Sequence, residues 1–259
     1  MTALADHADA ARLARAAGNL LMRLRDRAAA GAIEIDGLGR EGDRRSNRLL
    51  IELLGSLHPH DPVLSEESAD DLRRLGADRV WVIDPLDGTR EYTELDRSDW
   101  AVHVALVIEG TPVAAAVALP AQHRVLSTVI PPHLPARVSS RIRLVVSRTR
   151  PPAIAEALAA ELDAELVPMG SAGAKTMAIL LGEADVYAHG GGQYEWDSAA
   201  PAGVAAAAGL HATRLDGSPL IYNNPSPWLP DLLVCRPELA DDVHEAVDRV
   251  LTLLEVKSA

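Results

Sequence analysis

Apolar positions in the first third of the chain fall on helical spacing. Leu13, Leu20, Leu21 and Leu24 recur among Arg and Ala, which predicts an amphipathic helix from about residue 3 to 29, stopped at Gly31. A second helix is expected after Asp43, carrying Leu49, Leu50, Leu53 and Leu54 to Gly55, with Asp43 available as its N-cap. Pro59 and Pro62 mark a loop, after which the short strand Val63-Leu64-Ser65 delivers Glu66 and Glu67.

Between Val80 and Val129 the pattern changes to strands. Val80-Trp81-Val82-Ile83 is an apolar run ended by Asp84-Pro85, Ala101 to Ile108 and Val113 to Leu119 read as a hairpin turning at Glu109 to Pro112, and Arg124 to Val129 follows. Pro131 to Pro135 is the expected boundary between two halves, 1–135 and 136–259. The second half alternates: strands at 141–146, 165–168 and 185–188, and helices at 152–162, 174–181, 198–208 and 239–254. Helices with an antiparallel sheet followed by a strand–helix alternation predict a mixed α/β protein.

Composition narrows the possible functions. A formal net charge of -12 over 259 residues argues against broad electrostatic binding to a nucleic-acid polymer or an anionic membrane. There is no signal-peptide pattern in the charged first thirty residues, and the Ala-rich segments near 113–119 and 202–210 are too short to span a bilayer. The single cysteine, Cys235, rules out an internal disulfide and reads as a small buried hydrophobe, in keeping with a cytoplasmic protein. Aromatics are scarce and Phe is absent, so the core must be built from Ala, Val, Leu and Ile.

The candidate chemistry is acidic. In Asp84-Pro85-Leu86-Asp87-Gly88-Thr89, a tight turn after the strand lets Asp84 and Asp87 converge and turns the Leu86 carbonyl, not its side chain, toward the same point. Gly88 permits close backbone approach, and the amides of Gly88 and Thr89 would open a helix. Two converged carboxylates about 4 Å apart repel by roughly 4 kcal/mol at an effective dielectric near 20, so such a site needs raised pKa values or divalent cations. Oxygen donors favour Mg2+, which clamps phosphate oxygens and sharpens a water nucleophile. Further candidates are Ser65-Glu66-Glu67-Ser68, otherwise a solvated patch, and Asp197, otherwise a helix N-cap.

Trp81 to Thr89 resembles the W-x-I-D-P-L-D-G-T signature of the inositol monophosphatase-like metal-dependent phosphatases. Glu195-Trp196-Asp197-Ser198-Ala199-Ala200-Pro201 resembles the family's second signature, and Ser65-Glu66-Glu67-Ser68 its G-E-E-S element, with Ser in place of Gly. The resemblance implies an αβαβα layered sandwich, two or three Mg2+ ions per site, lithium sensitivity and a homodimer. It makes Glu66, Asp84, Asp87, Asp197 and the Leu86 carbonyl metal ligands, and Thr89 with Asp43 the pair that activates water. Phosphate would lie across the metals and the Gly88 and Thr89 amides. Arg40 stands where the family carries a Thr three residues before Asp43.

Three further segments resemble the CysQ-type 3'-phosphoadenosine 5'-phosphate phosphatases of actinobacteria: Asp87-Gly88-Thr89-Arg90-Glu91-Tyr92, Val146-Ser147-Arg148-Thr149-Arg150 and Gly170-Ser171-Ala172-Gly173-Ala174-Lys175. That branch implies hydrolysis of the 3'-phosphate to give AMP in support of sulfate assimilation. Ser147, Arg148, Ser171 and Lys175 would then hold a second phosphate. Rival readings are an inositol or sugar phosphatase on the same fold and a catalytically silent scaffold. An EF-hand is excluded because 84–88 lacks its alternating ligands and terminal Glu.

Overall fold

The computed structural model describes residues 4–258. Its elements are α1 (Leu4–Ala29), α2 (Ile35–Leu57), β1 (Val63–Ser65), β2 (Arg79–Asp87), α3 (Thr89–Thr93), β3 (Ala101–Ile108), β4 (Thr111–Leu119), β5 (Arg124–Ser127) and β6 (Arg143–Ser147). There follow α4 (Ala153–Glu161), β7 (Glu165–Met169), α5 (Ala172–Leu180), β8 (Val186–His189), β9 (Gln193–Tyr194), α6 (Glu195–Ala207), β10 (His211–Thr213), β11 (Trp228–Leu229), β12 (Leu232–Cys235) and α7 (Ala240–Ser258).

One sheet runs β1-β2-β3-β4-β5, with β1 parallel to β2 and the rest antiparallel. The other runs β10-β12-β8-β6-β7, with β8, β6 and β7 parallel and β12 and β10 antiparallel. The short β9 and β11 pair separately.

Period-two alternation sorts β2 between two cores. Trp81 and Ile83 join Leu13, Leu21, Leu50 and Leu54 under α1 and α2, while Val80 and Val82 join Met177, Ile179 and Val204 of α5 and α6. The second sheet does the same: Val145, Tyr187 and Val234 face α5 and α6, and Leu144, Val186 and Leu233 face Leu158, Val243 and Val247 of α4 and α7. The layers are therefore αβαβα, the predicted sandwich. Full burial of each such side chain contributes roughly 1.5–3 kcal/mol. Small residues let the central layers close up without aromatics: a Cβ at Gly203 of α6 would sit 3.0 Å from Ala115 Cβ of β4.

Most elements lie within a few residues of expectation, and the departures are instructive. The opening of the first helix at residue 3 falls outside the described residues. The second helix starts at Ile35, well before Asp43, so Asp43 is an interior helical residue and not an N-cap. The glycines in its first turns are packing positions: a Cβ at Gly39 would meet Thr89 Cγ2 at 2.8 Å, and one at Gly42 would meet Tyr92 Cε1 at 2.8 Å. Similarly, α6 begins at Glu195, which puts Asp197 in its first turn, where its Oδ2 accepts the Tyr194 amide at 2.7 Å. Strand β2 continues past Asp84 to Asp87, with an irregularity in its pairing to β3 that absorbs Pro85. Strands β9 to β12 are too short or too weakly patterned to be predicted, although β12 contains the apolar run around the fully buried Cys235.

Candidate active site

Strand β2 carries the centre of the site. Asp84 is 1% exposed, and its Oδ1 accepts the Leu86 amide at 3.0 Å, a local turn that directs the chain from Asp84 round to Asp87. Ser46 Oγ of α2 donates to the Pro85 carbonyl at 2.7 Å and fixes the same turn from the helical side. The Leu86 side chain is buried among the α1–α2 core, leaving its carbonyl to accept from Thr89 Oγ1 at 3.2 Å. Gly88, at φ +86°, adopts the left-handed conformation that reverses the strand into α3.

Thr89 Oγ1 also lies 3.3 Å from Asp43 Oδ1, so α2 presents Asp43 to the motif from across the layer. Arg40, one turn earlier, has an exposed side chain and is no substitute for a hydroxyl there. Parallel pairing of β1 with β2 sets Ser65 beside Ile83 and brings Glu66 to the same end of the sheet. Asp197 arrives on α6 from the opposite side.

The electrostatics record the convergence. The Glu66 carboxyl is pushed up to about 7 by the surrounding protein and then by Asp197, Asp87, Glu67 and Asp43, although the residue keeps an exposed surface. Asp84 is raised well above the ordinary carboxylate range by burial and by Glu66, Asp87 and Asp197. Asp197 rises to about 6, through burial and Asp87, and Asp43 to about 7, through burial and Glu67. Asp87 is the exception. Burial raises it, but His103, Lys175 and Ser171 together outweigh burial and hold it below its ordinary value.

Its donors are explicit. Asp87 Oδ2 accepts from Ser171 Oγ at 2.5 Å and the Gly173 amide at 2.8 Å, and lies 3.2 Å from His103 Nε2. Asp84, Asp87 and His103 offer ligand atoms within 4.8 Å of one another.

A model of the inositol monophosphatase family matches residues 6–250. The chain belongs to that family. A 3'-phosphoadenosine 5'-phosphate phosphatase of Mycobacterium bovis is 53% identical over 232 residues, covering 86% of this chain and 86% of its own. One of Mycobacterium leprae is 51% identical over 249 residues, covering 92% and 91%. Among solved structures, CysQ from Bacteroides thetaiotaomicron matches with a TM-score of 0.77 at 24% identity over 90% of this chain and 97% of its own, a likeness of fold.

Within this member of the inositol monophosphatase family, the second group of candidates lies beside the first. Glu91 of α3 is buried, and its Oε1 accepts from Arg148 Nε at 2.6 Å, while Glu94 pairs with the same guanidinium. A Cβ at Gly170 would overlap the Glu91 carboxyl, and the Gly170 amide donates to Asp99 at 2.5 Å. The segments around Glu91, Arg148 and Gly170 are thus one neighbourhood. Arg148 is committed to two carboxylates rather than free for a ligand.

Lys175 is buried, its Nζ donating to the Ser171 carbonyl at 2.9 Å and the Gly170 carbonyl at 3.3 Å and lying 5.3 Å from the Tyr187 ring centroid. Burial lowers its proton affinity against the pull of Asp87, Glu91 and Asp197. Ser147 is half-buried, and its Oγ accepts the Arg150 amide at 3.4 Å.

Sequence reasoning missed His103. It pairs across the sheet with Asp84, and its one visible signal is a polar residue in the otherwise apolar run Ala101 to Ile108. It also missed that Glu195, in the second signature, is structural: its carboxylate accepts the Asn223 and Asn224 amides at 2.6 and 2.8 Å.

The donor set fits a hard divalent cation. Among the described residues, four mutually repelling carboxylates, three of them held above their ordinary proton affinity, have only Lys175 and His103 as nearby countercharge. A cation bound by oxygen ligands relieves that repulsion.

Proposed function

We propose that this protein is a Mg2+-dependent 3'(2'),5'-bisphosphate nucleotidase that hydrolyses the 3'-phosphate of 3'-phosphoadenosine 5'-phosphate to AMP and phosphate. The observation that carries the reaction is the electrostatic coupling of Glu66, Asp84, Asp87 and Asp197, which come from three separated motifs. The substrate rests on the mycobacterial relatives at 51–53% identity.

In this reading Glu66, Asp84, the Leu86 carbonyl, Asp87 and Asp197 hold two or three Mg2+ ions. Bound there, Mg2+ supplies charge neutralisation for the phosphate and acidifies water. The chain's own residues do the rest. Thr89 Oγ1, placed against Asp43 and the Leu86 carbonyl, orients the attacking water, and Asp43, with its proton affinity raised to about 7, receives the water's proton. The water oxygen forms a bond to phosphorus as the bond to the ribose 3'-oxygen breaks, and that oxygen takes a proton from solvent water and leaves as the alcohol. Gly88 and Thr89 present backbone amides toward the phosphate.

Ser147, Ser171 and Lys175 form the side toward the nucleotide's second phosphate. Lys175 acts there as a buried countercharge and not as an open ammonium. Residues 1–135 would then supply the main metal site, with 136–259 completing it. A homodimer, a place in the cytoplasm and a role in sulfate assimilation extend the same reading.

The deciding experiment measures phosphate release from 3'-phosphoadenosine 5'-phosphate and inositol 1-phosphate in parallel, with Mg2+, without it, and with added Li+. Mg2+-dependent preference for the nucleotide is expected. Preference for inositol phosphate would keep the centre and overturn the substrate, and no release from either would overturn the reaction.

A further inference from the structure

The geometry points to His103 as the positioning residue that ties Asp87 to the turn carrying Asp197 and reserves one Asp87 oxygen for the cation; this rests on the metal-dependent reading above. The ring is fully buried on β3, and its two nitrogens face different motifs. Nδ1 bonds the Trp196 carbonyl at 3.0 Å, in the first turn of α6 and adjacent to Asp197. Nε2 approaches Asp87 Oδ2 at 3.2 Å without the alignment of a full hydrogen bond, and has no other partner among the described residues. The carbonyl is an acceptor, so Nδ1 is the donor there, and Nε2 is the nitrogen that stands against Asp87.

Ser171 Oγ and the Gly173 amide complete the arrangement on the same Oδ2. The two hydrogen bonds and the His103 contact all gather on one oxygen, and Asp87 Oδ1 has no hydrogen bond among the described residues. A carboxylate clamped in this way presents a single oxygen in a fixed direction. Gly173 is part of the device: a Cβ there would overlap His103 Nε2, so only glycine lets the start of α5 close onto the ring. Asp87 belongs to the first signature and Asp197 to the second. Through one rigid imidazole, β3 therefore sets how far apart the two stand. Partners that orient ligating groups in this way typically change metal affinity about 10–100-fold when removed.

Two substitutions separate the ring's contacts. In His103→Gln the side-chain amide reaches the Nε2 position and retains a donor for Asp87. In His103→Asn it reaches the Nδ1 position and retains only the Trp196 contact.

Mn2+ serves as the probe, titrated into the full metal-stripped chain and followed by electron paramagnetic resonance. Nucleotidase activity is measured against Mg2+ concentration, and melting of the metal-free protein is recorded alongside. We expect His103→Asn to weaken Mn2+ binding about 10-fold or more. Its Mg2+ requirement should rise by a similar factor, with most of kcat recovered at saturating Mg2+, and His103→Gln, which loses the Trp196 contact, should fall between wild type and His103→Asn. Equal Mn2+ affinity in wild type and both variants would overturn the positioning role while leaving the metal site intact. Failure of the wild-type chain to bind Mn2+ would overturn both.

If neither variant folds, the 15N resonances of labelled histidine in the wild-type protein decide. A ring nitrogen that responds to Mg2+ is expected, and histidine signals that are all unmoved by Mg2+ would overturn the assignment.

Discussion

Asp87 shows how much of the proposed chemistry depends on which oxygen does what. Its Oδ2 is held by Ser171 and Gly173, and an Asp87→Asn amide oxygen accepts the same two bonds, so the fold should survive. The amide nitrogen then points where a cation needs a negative ligand. Activity against 3'-phosphoadenosine 5'-phosphate should fall by about 10³-fold or more, corresponding to roughly 4 kcal/mol of transition-state stabilisation, with circular dichroism unchanged. Retained turnover would remove Asp87 from the site. Lys175 invites a different comparison. Its charge lies on the side proposed to face the second phosphate, so Lys175→Met should cut kcat/KM for the bisphosphonucleotide more than for a monophosphate. Equal losses on both substrates would show that it serves only as internal countercharge.

At the scale of elements, close approach is bought with missing side chains. The catalytic candidates Asp43 and Thr89 sit on different helices, α2 and α3, whose separation is set by Gly39 and Gly42. A Gly39→Ala methyl would press on Thr89 Cγ2 at 2.8 Å. Its effect should appear in kcat before it appears in the melting temperature, a split that parallel assays and thermal unfolding would reveal. The second signature joins elements as well as chemistry. Glu195 is 1% exposed and holds the Asn223–Asn224 loop, while Asn223 Oδ1 accepts from the fully buried Arg74 at 2.7 Å. Glu195→Ala removes the buried acceptor that holds this loop and should destabilise the protein by about 1–3 kcal/mol. Unchanged chemical denaturation would contradict that structural role.

For the whole molecule, the carboxylate cluster links folding to pH and to metal. Asp43 and Glu66 are raised to about 7 and Asp197 to about 6, so without a cation the folded chain holds protons that the unfolded chain releases near pH 4. The stability these groups contribute is full below that pH and is lost as pH rises through 6 to 7. Metal-free protein should therefore melt progressively lower from pH 5 to pH 8, and Mg2+ should restore stability most at the upper end. Binding should also release protons, visible as a dependence of calorimetric heat on buffer ionisation. A melting temperature that rises with pH in a chelator would contradict the predicted repulsion.

The order of the helices and of strands β1 to β8 and the three acidic motifs follow from the sequence alone, because periodicity and short-range turn chemistry are local properties. No helix of the described residues is long and apolar enough to cross a membrane, as its hydropathy indicated. The start of α2 and the placing of Asp43 were hidden, since a glycine that ends a helix and one that packs against a neighbour look alike until the neighbour is present. His103 was hidden for a related reason: a lone histidine in an apolar strand acquires meaning only from the cross-strand register that sets it opposite Asp84. Tertiary structure also decided that Arg148 is bound to Glu91 and Glu94, and that Lys175 is enclosed. Charge and spacing show which residues are able to bind an anion. Whether Arg148 is already paired depends on contacts with residues 54 and 57 positions away, and only the packed fold fixes those.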